Sequence, residues 1–220
     1  MKVAVTGANG KVGSALIRNL PFHGFEVKAL DLPDFDATYD YRMVEETRGC
    51  DALIHLAWRG VGQDGLVNVH SDNRIMYKNA YEAAVVNRIG LVIMGSSNHA
   101  HSREGLESAK GRIKYTGEPE RPNNAYGEEK QAMETMGKEY AERDGLAVVC
   151  LRIGNVNDSD TPNPDHVPSR WLSHRDLGQL VSKALTADLP PGHFEVMYAV
   201  SDQETFDWTN SFGYIPKDAS

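Results

Sequence analysis

The sequence has little cysteine and lacks any long uninterrupted run of apolar residues. Only Cys50 and Cys150 occur among its 220 residues, and each lies beside or within a short apolar, strand-like run. This usage fits buried free thiols in a reducing compartment and excludes a disulfide framework. No apolar run approaches the ~20 residues that a membrane-spanning helix needs. We therefore expect no membrane partner.

Positive charge is also scarce. The chain has 23 Lys and Arg residues against 31 Asp and Glu residues, which gives a formal net charge of −8. This balance argues against a nucleic-acid or anionic-membrane partner. Met1 and Lys2 lead directly into the first apolar run, so we expect no signal peptide and a cytoplasmic protein.

The order of the predicted elements indicates the fold class. Short apolar runs alternate with stretches of helical periodicity, which predicts a parallel sheet covered by helices on both faces. We expect one Rossmann-like, doubly wound α/β domain over residues 1–220, in which residues 154–220 form a small substrate-binding elaboration. The predicted strands are 3–5, 26–30, a short one at 35–37, 51–57, 90–94, 147–153 and 194–200. The predicted helices are 12–20, 41–49, 73–86, 125–143 and 173–185.

Residues 6–13, Thr-Gly-Ala-Asn-Gly-Lys-Val-Gly, join the first strand to the first helix. In this context Gly7 permits a tight turn, Gly10 permits the backbone to approach a pyrophosphate, and Gly13 permits close helix–strand packing. The helix N-terminus adds unpaired N–H groups and a positive dipole. Glycine alone also fits an ordinary structural turn, so the prediction of a dinucleotide site depends on agreement further along the chain.

Asp31 supplies that agreement, because it stands at the end of the second predicted strand, ~20 residues after the glycines. An acid at this position can bind both ribose hydroxyls of an adenosine, and it repels a 2′-phosphate. We therefore expect NAD to be preferred over NADP. Considered alone, Asp31 also fits an ordinary turn residue that follows a strand.

Tyr126 and Lys130 lie one turn apart on one face of a predicted helix. A free tyrosine has a pKa near ~10 and is a poor base at neutral pH, but a nearby ammonium lowers that pKa. Ser97, at the end of the strand before this helix, can orient a substrate oxygen. A surface pair on a helix is the alternative for this spacing when it occurs in isolation.

Together these residues resemble the extended short-chain dehydrogenase/reductase family, also called the NAD-dependent epimerase/dehydratases. The resemblance runs nearly end to end. The segments that carry it are 6–13, Asp31, His55-Leu56-Ala57, Ser96-Ser97, Tyr126 with Lys130, and Leu151-Arg152 with Asn155-Val156.

The resemblance implies a general acid/base role for Tyr126, with Lys130 holding the nicotinamide ribose and Ser97 polarising the substrate. It also implies that Asp36 and Ala37 contact the adenine. The cofactor-binding residues expected for NAD are Gly7, Asn9, Gly10, Lys11, Val12, Gly13, Asp31, Leu32, Asp36, Ala37, Leu56, Ala57, Asn73, Tyr126, Lys130 and Ile153.

Within that family the chain is most similar to uronate dehydrogenases and related sugar dehydrogenases, which oxidise the anomeric carbon of a cyclic sugar to a lactone. The arginine that uronate dehydrogenases aim at the substrate carboxylate aligns with His166 here. Arg170 is the first candidate to replace it, and Arg59 is the second. The segments that carry this likeness are 96–99, 121–130, 171–174, 200–201 and 213–218. The substrate-binding residues expected are Ser97, Asn98, His99 and Arg170.

Other interpretations stay open at this point. His99 and His101 hint at a metal, but two histidines without a third ligand are a weak signal, and we expect no metal site. Arg170 and His174 either bind a substrate anion or pair with nearby aspartates. A nucleotide-sugar epimerase or reductase, and a non-catalytic redox sensor that binds a dinucleotide, are the alternative functions.

The resemblance also implies assembly, because relatives build a four-helix bundle from the helices that begin near Asn73 and Tyr126. We expect a homodimer or a higher homo-oligomer. The apolar contacts expected there come from Ala83, Ala84, Met133, Met136 and Tyr140.

Overall fold

A computed structural model describes residues 1–60, 71–101, 122, 124–163, 170–201 and 208–218. Within these ranges the chain forms one six-stranded, all-parallel sheet with helices on both faces. The strands are β1 (Lys2–Thr6), β2 (Glu26–Leu30), β3 (Ala52–His55), β4 (Leu91–Ser97), β5 (Ala147–Ile153) and β6 (Phe194–Ala199). The α-helices are α1 (Lys11–Asn19), α2 (Asp40–Thr47), α3 (Asp72–Asn87), α4 (Ala125–Asp144) and α5 (His174–Thr186), and 3-10 turns span Leu20–His23 and Asn98–Ala100.

The strand order is β2-β1-β3-β4-β5-β6. The chain therefore moves outward from β1 to β2, returns to the other side of β1 at β3, and then adds strands in one direction. Ligands of such sheets bind beyond the carboxyl ends of the strands, where the order reverses. The expected Rossmann-like, doubly wound fold is confirmed, and it places the site at the ends of β1 and β3.

The core forms two layers, because successive side chains of each strand point to opposite faces of the sheet. Val5, Ile54 and Ile93 face α1 and α5, and Leu53 and Val92 face α2, α3 and α4. These five side chains are all fully buried. Cys50 and Cys150 are buried free thiols, as expected.

Two helix starts are fixed by side chains that the sequence marks. The Asn124 side chain accepts a hydrogen bond from the backbone N–H of Gly127 at 2.8 Å. The Ser173 hydroxyl accepts one from the backbone N–H of Asp176 at 2.9 Å. Each bond satisfies a donor that the first helical turn leaves unpaired. Asn123 is by residue type a second possible cap for the helix that Asn124 begins, but it lies outside the described residues.

The short strand expected at residues 35–37 does not form. The Asp36 carboxylate instead accepts hydrogen bonds from the backbone N–H and the hydroxyl of Thr38, at 3.0 and 2.8 Å. The backbone N–H of Phe35 donates to the Asp31 carbonyl at 2.9 Å. Local hydrogen bonds of this kind compete with strand pairing, and they close the segment into turns.

The carboxyl edge of the sheet contains a step. The strand expected at 51–57 ends at His55, which pairs with Met94. The strand expected at 90–94 instead continues to Ser97, which pairs with Ile153 of β5. β4 and β5 therefore project past β3 on the side of the sheet where the ligand site is expected.

Most of the residues expected at a dimer surface are internal to the protomer. Ala83 and Ala84 are 0% exposed, Met133 is 1% exposed, and Tyr140 is 7% exposed. They pack between the sheet and the helices α2, α3 and α4. The expectation that they supply intersubunit contacts is wrong for these four, because the protomer's own core uses them.

The C-terminal segment packs against α5. Phe212 and Tyr214 are buried in the same core layer as α1 and α5. The Asp176 carboxylate accepts hydrogen bonds from the backbone N–H groups of Lys217 and Asp218, at 2.9 and 3.0 Å. None of the helices in the described ranges is long and apolar enough to cross a membrane.

Candidate active site

The turn between β1 and α1 requires glycine for steric reasons. Gly7 has a φ of 69°, and a Cβ there would lie 2.6 Å from the backbone nitrogen of Ala57. A Cβ on Gly13 would collide with the Gly7 carbonyl oxygen. Gly10 is the N-cap of α1, and no side chain caps the first N–H groups of the helix. This arrangement fits a pyrophosphate.

Asp31 lies at the end of β2 beside this turn. One of its carboxylate oxygens accepts a hydrogen bond from the backbone N–H of Asn9 at 2.7 Å, and the other accepts one from Leu32 at 2.8 Å. The Asn9 side chain donates to the Leu32 carbonyl at 3.2 Å. The structure therefore brings these three residues of the predicted cofactor set together. Lys11 and Val12 begin α1 next to them.

Arg59 connects the loop after β3 to two other segments. Its guanidinium donates to the Asp36 carboxylate at 2.9 Å and makes a short ion pair with Asp72. The Asn73 side chain accepts from the Arg59 backbone N–H and donates to its carbonyl, both at 2.7 Å. Burial opposes ionisation of Asp36, yet the bonds from Thr38 and Arg59 hold its pKa below the usual value. The carboxylates of Asp36 and Asp72 already bind Arg59. Its guanidinium is therefore not available to a substrate anion, for which Arg59 was the second candidate.

A groove runs from the acidic end of the site toward α4. Its walls come from the glycine turn, the end of β2, the turn after it, and the loop after β3. The lining residues are Gly7, Gly10, Leu30, Asp31, Leu32, Phe35, Asp36, Ala37, Leu56, Ala57, Trp58, Arg59 and Met76. The expected adenine and ribose contacts Asp31, Asp36 and Ala37 thus share one cavity with Leu56 and Ala57.

Tyr126 and Lys130 of α4 lie beside Trp58, which lines this cavity, and they meet Ser97 at the end of β4. The Ser97 hydroxyl lies close enough to the Tyr126 phenol to lower its pKa. The Lys130 ammonium donates to the Gly95 carbonyl oxygen at 2.6 Å, and Lys130 is 5% exposed. Ile153 lies directly beside Ser97 across the strand pair. The three residues predicted to be catalytic therefore converge at the end of β4.

Burial favours the neutral forms of both titratable groups. It raises the pKa of Tyr126, and the hydrogen bond with Ser97 opposes that rise only in part. Burial also lowers the pKa of Lys130 to about 7, although Glu134 pulls it upward. In the chain without cofactor the pKa of Tyr126 is raised rather than lowered, because desolvation is the largest cause and only Ser97 opposes it, so the lowering expected from Lys130 does not appear here.

A buried ion pair underlies the catalytic residues. Arg152 donates two hydrogen bonds to the Glu134 carboxylate, at 2.9 and 2.7 Å, and these residues are 1% and 4% exposed. The Ser96 hydroxyl donates to the same carboxylate at 2.5 Å. Glu134 lies one turn after Lys130 on α4, so Tyr126, Lys130 and Glu134 form one row along the helix. This row fixes α4 against the ends of β4 and β5.

The expected substrate residues occupy the same rim. Asn98 is buried in the turn after β4, and its side-chain oxygen lies 3.4 Å from the Ser97 hydroxyl. The His99 ring makes an edge contact with Tyr126, with the centroids 5.7 Å apart. The Arg170 carbonyl accepts a hydrogen bond from the backbone N–H of Asn155, which places the Arg170 backbone just past the end of β5.

The other histidines have structural contacts. His101 hydrogen-bonds the Tyr198 hydroxyl at 2.7 Å. The His174 ring bonds the Asn157 carbonyl at 2.9 Å, and its Nδ1 lies 3.9 Å from the Asp160 carboxylate, which also accepts the His174 backbone N–H at 2.8 Å. His174 thus contacts a nearby aspartate, which was the alternative to binding a substrate anion. In the described part of the chain, no group of three or more His, Cys, Asp or Glu residues could hold a metal. His166 lies outside the described residues.

Sequence reasoning missed two features of the site. Trp58 contacts both Tyr126 and Lys130, but nothing in its local sequence marks it. Glu134 follows Lys130 at helical spacing, a signal that the sequence does carry, although its partner Arg152 lies on a distant strand. Tertiary packing alone brings these residues together.

Comparisons with known proteins agree with this geometry. Residues 3–189 match the model of the NAD dependent epimerase/dehydratase family. An L-arabinose 1-dehydrogenase (NAD(P)(+)) of Haloferax volcanii is 29% identical over 247 residues, which cover 100% of this chain and 97% of that protein. A uronate dehydrogenase of Pseudomonas syringae pv. tomato is 36% identical over 206 residues, covering 89% of this chain and 67% of that protein. The crystal structure of glucuronic acid dehydrogenase from Chromohalobacter salexigens is similar with a TM-score of 0.79 at 25% identity, over 99% of this chain and 85% of that one.

Proposed function

The chain belongs to the NAD-dependent epimerase/dehydratase family, and we propose that it is a dehydrogenase that oxidises the anomeric carbon of a sugar or sugar acid to a lactone. The observation that carries this proposal is the convergence of Ser97, Tyr126 and Lys130 at the end of β4, next to Trp58 of the cavity that contains Asp31. Relatives that are named dehydrogenases of arabinose and of uronates support the substrate class.

The described residues fit the cofactor. The uncapped start of α1 and the glycine turn accept a pyrophosphate, and Asp31 accepts ribose hydroxyls at the opposite wall. NAD⁺ supplies a hydride acceptor when it is bound there. The carboxylate of Asp31, which lines the cavity, disfavours the additional phosphate of NADP.

Different residues of the chain take the proton, hold the reacting oxygen and orient the cofactor. Tyr126 takes the proton of the anomeric hydroxyl as the carbon loses its hydride, and Ser97 holds the same oxygen. Lys130 orients the nicotinamide ribose and supplies positive charge to the phenolate when it is protonated. Arg170, at the end of β5, is our candidate for an anionic substituent of the substrate.

The direct test is NADH formation with a panel of aldoses, uronates and sugar phosphates, with NMR identification of a lactone product. We expect at least one sugar of this panel to be oxidised by the wild type and not by Tyr126→Phe. If the protein bound NADH but oxidised none of them, the redox-sensor alternative would replace the enzyme. Epimerisation of a nucleotide sugar without net NADH would favour the epimerase.

We also propose that the protein is cytoplasmic and forms a homodimer or a larger homo-oligomer. Ile75, Val85 and Val86 on α3 are exposed apolar residues, and Met136 on α4 is half-buried. Sedimentation at micromolar concentration tests the assembly, and a monomer throughout that range would refute it.

A further inference from the structure

Trp58 connects the proposed cofactor cavity to the predicted catalytic residues. It lines the same cavity as Gly7 and Asp31. Its ring also makes an edge contact with Tyr126, with the centroids 5.5 Å apart. A dinucleotide that reaches from Asp31 to Tyr126 must therefore pass this indole.

The indole ring covers the ammonium of Lys130. The Nζ atom lies 3.6 Å from the centre of the Trp58 ring and 5.7 Å from the centre of the Tyr126 ring. Its hydrogen bond to the Gly95 carbonyl is on another side. A cation over the face of a tryptophan is attracted by the ring quadrupole. The ring and the carbonyl thus fix the ammonium near Tyr126, and one of its three N–H groups is left for another acceptor.

The indole N–H of Trp58 is buried and has no hydrogen-bond partner among the described residues. Tryptophan has this donor only, and a buried donor without a partner is unfavourable. The groove that Trp58 lines is the one that the dinucleotide enters, and phosphate, ribose and carboxamide oxygens are all acceptors. An oxygen of a bound dinucleotide can accept the hydrogen bond that this N–H lacks.

We propose that Trp58 is a cofactor-positioning residue for the nicotinamide half of NAD. Its N–H donates to an oxygen of that half, and its ring holds Lys130 toward Tyr126. The part that concerns Lys130 rests on the proposed function, whereas the N–H contact depends only on dinucleotide binding. The adenosine half is expected at Asp31, Asp36 and Ala37, which share the cavity with Trp58, whereas the contacts of Trp58 with Tyr126 and Lys130 point to the nicotinamide half.

The test compares the affinities of NADH and AMP by calorimetry in the wild type and in Trp58→Phe. Phenylalanine keeps an aromatic ring and removes the donor. We expect the dissociation constant of NADH to rise roughly 2- to 12-fold, as for one lost hydrogen bond, while that of AMP stays within twofold. The matched control is Trp208→Phe, because Trp208 packs against the core layer of α1 and α5.

The ring contact is tested separately with Trp58→Leu. In Trp58→Leu, Lys130 loses its aromatic neighbour. The plot of kcat against pH should therefore be displaced, at its acid or its alkaline limb, relative to that of Trp58→Phe. Identical pH profiles for the two variants would overturn the ring's role. Equal weakening of NADH and AMP, or unchanged NADH affinity in Trp58→Phe, would overturn the N–H contact. Failure of every sugar in the substrate panel would refute the proposed function and leave the NADH and AMP comparison intact.

Discussion

The Asp31 carboxylate accepts a hydrogen bond from the backbone N–H of Asn9 at 2.7 Å. This bond joins the acid that follows β2 to the glycine turn that follows β1. The residue proposed to bind the ribose and the turn proposed to bind the phosphates are therefore directly linked. A change at Asp31 consequently affects both the charge of the groove and the geometry of the turn.

We expect the wild type to bind NAD more tightly than NADP, and Asp31→Ala to narrow the gap. Two unit charges ~4 Å apart repel by ~1–4 kcal/mol between bulk water and a protein surface, and a 2′-phosphate brings more than one charge. Calorimetric titration of both cofactors measures the ratio of their dissociation constants. Asp34→Ala, a change at an exposed neighbouring carboxylate, should leave it unaltered. Equal affinity of the wild type for the two cofactors would refute the role of Asp31.

Tyr126→Phe should reduce kcat by roughly 10²–10⁴-fold, which is the usual contribution of general acid–base catalysis. The ring remains, so its contacts with Trp58 and His99 persist and NAD affinity should stay near that of the wild type. Steady-state kinetics and a parallel NADH titration separate the two effects. Tyr41→Phe is the control, because Tyr41 is 64% exposed. A variant with wild-type kcat would mean that Tyr126 is not the base.

Lys130→Met should change the pH dependence of stability, measured without added cofactor. Burial lowers the pKa of Lys130 to about 7 in the folded chain, whereas an unfolded lysine titrates near ~10.4. Between these values the unfolded chain binds one more proton, so this group makes the wild type more stable as pH rises, by up to ~1.4 kcal/mol per unit. The stability of the variant relative to the wild type should therefore fall from pH 7 to pH 9.

Urea unfolding at several pH values between these limits checks this prediction. The same substitution at the exposed Lys138 serves as the control. Parallel curves for wild type and Lys130→Met would show that Lys130 keeps its proton in the folded protein over the whole range.

Glu134→Gln should destabilise the protein by ~3–5 kcal/mol, because it leaves the Arg152 charge buried without its carboxylate. Replacing both residues, as Glu134→Leu with Arg152→Met, should recover part of that loss. Lys138→Ala breaks an exposed pair with Glu142 and should cost less than ~1 kcal/mol. Urea unfolding compares all of them. A small effect of Glu134→Gln would show that Arg152 finds other acceptors.

Arg170→Ala should raise KM for an anionic sugar by an amount equivalent to ~1.5–3 kcal/mol, the contribution of a charge-assisted hydrogen bond. KM for a neutral sugar should change little. Arg175→Ala is the control, because Arg175 is exposed and pairs with Asp218. Kinetics on a matched uronate and aldose pair check the split. An unchanged KM for the uronate would remove Arg170 from the site.

The sequence was sufficient where local rules decide the structure. Asn124 and Ser173 begin helices because their side chains bond the first turn, and Gly7 and Gly13 are needed because nothing larger fits beside Ala57 and the Gly7 carbonyl. The family resemblance added the roles of Tyr126 and Lys130, whose convergence with Ser97 the fold provides.

The sequence was insufficient where distant segments compete for the same side chain. An apolar helix residue such as Met133 fits an interface or a core equally well, and only the packed structure shows that the core takes it. Arg59 was a candidate for a substrate anion until Asp36 and Asp72 proved to flank it. Burial of Tyr126 and Lys130, which decides the direction of their pKa shifts, also depends on the whole fold.

Because of the step at the sheet edge, the site depends on which face of the sheet each of the last side chains of β4 points to. β4 continues three residues beyond the Met94–His55 pair, about 10 Å of extended chain, and ends on Ser97. Because side chains alternate along a strand, Ser96 turns to Glu134 and Ser97 is left for Tyr126. A deletion or insertion of one residue between Met94 and Ser96 would exchange the faces of the sheet to which these two hydroxyls point. A change of two residues would restore the faces but shift both hydroxyls along the strand. The projecting strand therefore tolerates substitution better than a change in its length.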